Sequence, residues 1–143
     1  MSKVSLLNLI IGFVVIFISA SAGSFIVQDL TDGFLKDPSI LTSWQTSVLK
    51  SAHGHTNLFG MLHILMGLTF PYSVMNPSIK KLQTFGLFLG TLAMGPGMML
   101  NAKWGPTEAI TLTTLLIGLG LSLALISIAA HCLGLLMKYR NAV

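Results

Sequence analysis

Residues Ser51 to Val74 read SAHGHTNLFGMLHILMGLTFPYSV, and this stretch holds His53, His55 and His63, three of the chain's four histidines. It is apolar enough to cross a bilayer. Imidazole is costly in hydrocarbon and normally faces the protein interior, where it bridges, relays or ligates. Three further apolar stretches accompany this one. Each places its unusual residues at the depth of His53 and His55, so the pattern points to a shared site.

Composition sets the class. Of 143 residues, 53% are hydrophobic and 8% are charged. A soluble domain carries about 25% charged residues, so this chain has little to face water with. The expectation is an all-α integral membrane protein. Its length suits a single domain, 1–143, of four spans at roughly 20 residues each. The formal charge of +4 does not imply nucleic acid. The Lys and Arg residues sit in tails and loops, where they act as topology signals. The single cysteine, Cys132, leaves no intrachain disulfide.

The first span is expected from Leu6 to Val27. Lys3, the run Leu6 to Ile18 and Ala20-Ser21-Ala22 also fit a secretory signal with a cleavage site; the segment is kept here as a span. Its second half, Ser19 to Ser24, has almost no side-chain volume. Such residues let helices approach closely and leave room for a flat ligand. Asp29 to Lys50 reads as a polar connection, with a turn at Asp32-Gly33. Asp37-Pro38 reads as a helix start, Asp capping and Pro at the first position. Ile40, Leu41, Trp44, Val48 and Leu49 then recur at helical spacing. This predicts a short interfacial amphipathic helix between spans one and two, with Trp44 at the headgroup level.

The second span ends near Pro71-Tyr72. Asn76-Pro77-Ser78 is a tight turn, and the third span runs from about Leu82 to Asn101. Gly86 and Gly90 form a GxxxG pair, a close-packing face, which predicts a homo-oligomer or membership of a larger membrane complex. Gly95-Pro96-Gly97 should break or kink this helix, because proline removes a donor and clashes with the carbonyl four residues back. Lys103 to Glu108 is a loop with an interfacial Trp104. The fourth span runs from about Ala109 to Met137. The expected architecture is a four-transmembrane-helix bundle in contact with the lipid bilayer.

Lys3, Lys80, Lys81, Lys138 and Arg140 fall on one side without acids. Lys36, Lys50 and Lys103 share the other with all four acids. The positive-inside rule then puts both termini in the cytoplasm, as in a bacterial inner membrane. His53 and His55 lie within roughly 5 Å of the outer end of their span, and Gly95 to Met99 within about 10 Å of the outer end of theirs. Ser21 and Ser24 share that layer, as do Thr111, Thr113 and Thr114.

At about 100° per residue, His53, Asn57, Gly60 and Gly67 share one face of the second span, and His55, Phe59 and Met66 another. His63 lies between these stripes. His63 and His131 differ in depth by about 15 Å on this reading, which disfavours them as opposite ligands of one heme. Plainer roles exist for each residue. His53 and His55 can bond loop carbonyls, Asp29 or Asp32. His63 can bridge helices, His131 can end one, and Met98 and Met99 can simply pack.

Ala52-His53-Gly54-His55-Thr56-Asn57-Leu58-Phe59-Gly60 resembles the start of the second helix of the catalytic subunit of heme–copper oxidases. It is most similar to the nitric oxide reductases and their nearest oxidase relatives. In that family a His followed by Thr-Asn or Leu-Asn is an axial ligand of the low-spin heme b near the outer face. Gly-Leu-Thr-Phe-Pro at 67–71 is also similar in position to that helix's end. The resemblance covers about 25 residues and implies His55 as a heme ligand. The family's dozen or so helices, its three copper-ligand histidines and its second heme-b ligand have no recognisable counterparts here.

Three expectations follow. The first is a small membrane subunit binding heme b near the outer face, for electron transfer or as accessory to a respiratory-type complex. His55 opposite Met98 or Met99, or His55 from two subunits, would supply the axial ligands, with a hydroxyl of Ser21 or Ser24 orienting the ring. The second is a copper-binding membrane protein using His53, His55, Met98 and Met99, since thioether and imidazole both suit copper. The third is a structural or channel-like subunit without a cofactor. No Ser/His/Asp set, CxxC, phosphate loop or paired carboxylates are present, which disfavours hydrolytic and nucleotide chemistry.

Overall fold

Four of the five α-helices begin at a residue whose side chain satisfies a first free N–H group. Ser2, Ser43, Asn76 and Thr111 each accept a bond from the backbone N–H three residues on, the role short polar side chains perform at helix starts. The computed structural model describes residues 1–142. Its helices are α1 (Lys3–Lys36), α2 (Trp44–Thr69), α3 (Pro77–Leu92), α4 (Met98–Trp104) and α5 (Leu112–Arg140). Short 3-10 turns cover Pro38–Thr42 and Phe70–Tyr72, and a π segment, Ala93–Gly97, joins α3 to α4. The chain is all-helical among the described residues.

Three helical stretches are long and apolar enough to cross a membrane: Lys3–Lys36, Pro77–Trp104 and Leu112–Arg140. α2 has 26 residues, but Lys50, its three histidines and Asn57 reduce its mean hydropathy, and it does not join the three. The bundle is apolar outside and polar inside. Phe13, Phe17, Phe25, Leu116 and Ile126 are exposed, while the buried residues include Asn8, Thr84, Gln83, His63 and His131. That inversion is what lipid favours, because buried polar groups pair with one another and apolar side chains face the acyl chains.

The connection between α1 and α2 differs from expectation. α1 continues through Asp32-Gly33, so no turn forms there. Gly33 instead gives room to Ile40, whose Cδ1 would lie 2.7 Å from a β-carbon at that position. Of the expected amphipathic segment, Trp44, Val48 and Leu49 run straight into α2, and Ile40 and Leu41 lie in a 3-10 turn. Asp37 caps only the five-residue turn Pro38–Thr42, and Ser43 restarts the chain as α2 at Trp44. Asp37 is held below the usual carboxylate range by the backbone N–H and then the hydroxyl of Ser39.

Antiparallel pairs form the frame. α1 lies along α2, and α3 lies along α5. Small residues set both approaches. A β-carbon at Gly12 would lie 2.6 Å from the Gly60 carbonyl oxygen, and one at Gly67 would lie 2.8 Å from that of Ser5. Gly86 and Gly90, expected to face another copy, face α5 instead. Gly86 meets Ser127, and Gly90 meets Ala124 and Phe59. Between the pairs sits a small apolar cluster of Phe59, Met66, Phe70, Leu87, Met94 and Ala124.

The Gly95-Pro96-Gly97 break is absorbed rather than expressed as an end. The helix widens to a π turn around Pro96 and continues to Trp104, a common way to accommodate a missing donor. Gly95 packs on Thr56, whose Oγ1 would lie 2.6 Å from a β-carbon there. Gly105 ends α4 at φ +82, where other residues are strained. The next helix starts at Leu112 under the Thr111 cap, three residues later than expected.

Lys80 has a structural task beyond topology. Its Nζ donates to the carbonyls of Phe70 at 2.7 Å and Ser73 at 2.9 Å. It thereby caps the C-terminal end of α2, where the helix dipole favours a cation. Lys80→Met should lower stability by about 2 kcal/mol, the usual order for bonds made by a charged donor. Thermal unfolding in detergent reads this directly, and an unchanged midpoint would refute the capping role.

Candidate functional site

The C-terminal half of α1 and the N-terminal half of α2 flank a cleft of about 750 Å³. Ala20, Gly23, Ser24, Ile26, Val27, Leu30, Lys50, His53 and Asn57 line it. The α1 wall is low because three of its lining residues are Ala, Gly and Ser. His53 lies directly on that wall: a β-carbon at Gly23 would be 2.7 Å from its Cε1. Ile26, Val27 and Leu30 make the rest of the wall apolar, and Lys50 places a cation at the rim.

The hydrogen bonds around His53 define its ring. Ser19 donates its hydroxyl to the His53 carbonyl at 3.4 Å and lies 3.2 Å from Nδ1. With the hydroxyl proton committed, Ser19 Oγ accepts from Nδ1–H. That leaves Nε2 as the lone-pair nitrogen, which faces the Asn57 side-chain amide at 3.3 Å. A neutral imidazole protonated at Nδ1 carries its metal-ligating lone pair on Nε2, and in His53 that lone pair accepts the Asn57 N–H.

His55 reaches the same form by a different route. Its Nδ1 lies 2.7 Å from the Ser51 carbonyl and 3.2 Å from the Ser51 hydroxyl. A carbonyl only accepts, so Nδ1 carries the proton and Nε2 is bare. Ser21 and Ser24, expected to orient this ring, do not. They donate back to Phe17 and Ala20 within α1, although Ser24 still lines the cleft.

His53 and His55 stand two residues apart, and their side chains leave the helix about 200° apart. They therefore face different surroundings. Met98 packs against the apolar cluster, and neither Met98 nor Met99 lines the cleft. The four residues of the copper expectation are thus not drawn into one coordination sphere at the cleft. Among the described residues no group of three or more His, Cys, Asp or Glu is placed to hold a metal ion.

The two remaining histidines bridge helices. His63 Nδ1 bonds Asn8 Oδ1 at 2.8 Å, and Asn8 Nδ2 donates to Thr84 at 2.7 Å. His131 Nε2 bonds Thr69 at 2.7 Å and stacks edge-on against Phe70. Thr69 is six residues beyond His63, so the two histidines differ in depth by about 9 Å rather than 15 Å. Asn8 and Thr69, the partners, and the buried Gln83 carry no motif. Their one signal was a polar side chain inside an apolar span.

No protein-family model matches the chain, and no curated protein or solved structure shows significant similarity to it.

Proposed function

We propose that this protein is a four-span membrane protein that binds heme b in the α1–α2 cleft, where His53 would hold it through Nε2 in place of the Asn57 bond. It would serve electron transfer or act as an accessory subunit of a respiratory-type complex. The observation that carries the reading is the His53 ring itself. It lies on a wall without side-chain volume, tied through Nδ1 to Ser19, in a cleft of about 750 Å³. That volume falls within the roughly 300–1,000 Å³ of small-molecule sites. The lining is mainly apolar, and Lys50 at the rim suits a carboxylate at the ligand's edge. Heme bound there would supply one-electron redox chemistry. The chain's own part is to fix the imidazole, exclude water with Ile26, Val27 and Leu30, and neutralise charge with Lys50.

α2 completes the four spans in this reading. It runs antiparallel to α1 and buries Thr46, Thr56 and His63 within the bundle. The Lys and Arg bias supports both termini in the cytoplasm and the cleft at the outer face. With Cys132→Ser as background, a cysteine at Ser2 should resist an impermeant thiol reagent added outside. Labelling there would reverse the orientation.

The purified protein should be red, or become so on titration with hemin, with a Soret band and reduced α and β bands of a b-type heme. Wild-type protein that neither carries nor takes up heme would leave the structural reading in its place.

A further inference from the structure

Four buried polar atoms make no hydrogen bond to protein: His63 Nε2, both side-chain polar atoms of Gln83, and His131 Nδ1. The residues carrying them are 0%, 3% and 6% exposed. Buried polar groups are nearly always paired, with protein or with ordered water. Three such side chains in a small apolar bundle therefore call for one explanation.

They lie in the same half of the bundle. Gln83 precedes Gly86 by three residues and so shares its face, the one that meets Ser127 of α5. His131 follows Ser127 by four residues, toward the same end of the bundle. Gln83 and His131 are thus level across the α3–α5 contact. Thr84, next to Gln83, joins His63 through Asn8. The span from His63 to the Thr69 partner of His131 is about 9 Å along α2.

Their chemistry follows from bonds already made. Asn8 Nδ2 donates to the Val4 carbonyl at 3.0 Å, which assigns its amide nitrogen and leaves Oδ1 to accept. His63 Nδ1 therefore carries the proton, and Nε2 is a bare lone pair. Thr69 donates its hydroxyl to the Leu65 carbonyl at 2.6 Å. It must accept from His131 Nε2–H, which leaves His131 Nδ1 bare. The two rings are held as opposite tautomers, each turning an acceptor to the interior. With the Gln83 carbonyl there are three acceptors and one donor group, the Gln83 NH₂. An acceptor-rich set of this kind takes a small molecule that brings donors of its own. An anion or an apolar ligand does not fit it.

We propose that His63, Gln83 and His131 form a binding site for water inside the half of the bundle that carries both termini. Lys80, seated on the Phe70 and Ser73 carbonyls, is the cation at its end. The site is separate from the α1–α2 cleft and does not depend on heme being bound there. Two imidazoles joined through water are groups that can accept and pass protons within a membrane.

Solid-state NMR of histidine-labelled protein in lipid bilayers tests this. The expected spectrum shows a bare Nε2 on His63 and a bare Nδ1 on His131, both receiving magnetisation from water. Gln83→Met should cut that transfer at both nitrogens at least threefold while the tautomers persist. A wild-type spectrum without water transfer, with the tautomers interchanged, or with transfer unaffected in Gln83→Met would overturn the proposal. Should the variant fail to assemble, the wild-type tautomers and water transfer decide alone.

Discussion

Gly12→Leu should abolish the assembled bundle. A β-carbon at position 12 already comes within 2.6 Å of the Gly60 carbonyl oxygen and 2.6 Å of Ile64 Cγ1. Overpacking costs about 1–3 kcal/mol where a side chain can move aside. Here the nearest obstacle includes backbone, so α1 and α2 must separate along their length, and the loss should exceed about 3 kcal/mol. Separation would also expose the Asn8–His63 bond and open the cleft above it. Gly118→Leu is the matched control, since a β-carbon there meets nothing within 4 Å. Size-exclusion and thermal unfolding in mild detergent should show aggregation or a collapsed midpoint for the first and wild-type behaviour for the second. Equal behaviour of the two would mean that the α1–α2 contact is looser than described.

The second large effect is on cofactor content. His53→Ala should reduce bound heme more than tenfold, while His55→Ala should retain most of it. His53 lines the cleft and His55 does not. Neither change should unfold the bundle. Each ring makes only bonds of 2.7–3.3 Å at half-buried positions, worth about 1 kcal/mol apiece. Gly23→Val should mimic His53→Ala, because its β-carbon would displace the ring at Cε1. The proposal is falsified if His53→Ala keeps its full Soret absorbance. Loss in His55→Ala alone would restore the ligand implied by the resemblance to the oxidase helix.

The resemblance points to His55 while the cleft lining holds His53, and the difference has a physical cause. Helical spacing sorts residues onto faces, but it does not say which face meets which neighbour. Both histidines sit at the same depth, and hydropathy is blind to the rotation of α2 about its axis. A clue was present. Ser19 and Gly23 stand four residues apart on α1, as His53 and Asn57 do on α2, so small residues faced long ones on matching stripes. The apolar stretches and the close-packing glycines were legible, because each is a local property of the chain. The partner of the Gly86–Gly90 pair was not legible, since a small-residue face fits a neighbour in the same chain as well as another copy. Gln83 escaped notice because it follows Lys80 and Lys81, and reads as the edge of a loop. The π turn at Ala93–Gly97 kept a helix running where Pro96 announced its end, because Thr56 fills the space that Gly95 leaves.

Asn8 has a consequence for how this chain is made. It is synthesised ahead of its partners, His63 and Thr84, which lie 55 and 76 residues downstream. Until they arrive, its side-chain amide has only the Val4 carbonyl of its own helix to bond. α1 is therefore made with an unmet hydrogen-bonding need that only α2 and α3 can fill. A chain stalled or cut before residue 84 carries that need exposed to lipid, a chemical mark of incompleteness that membrane quality control can read.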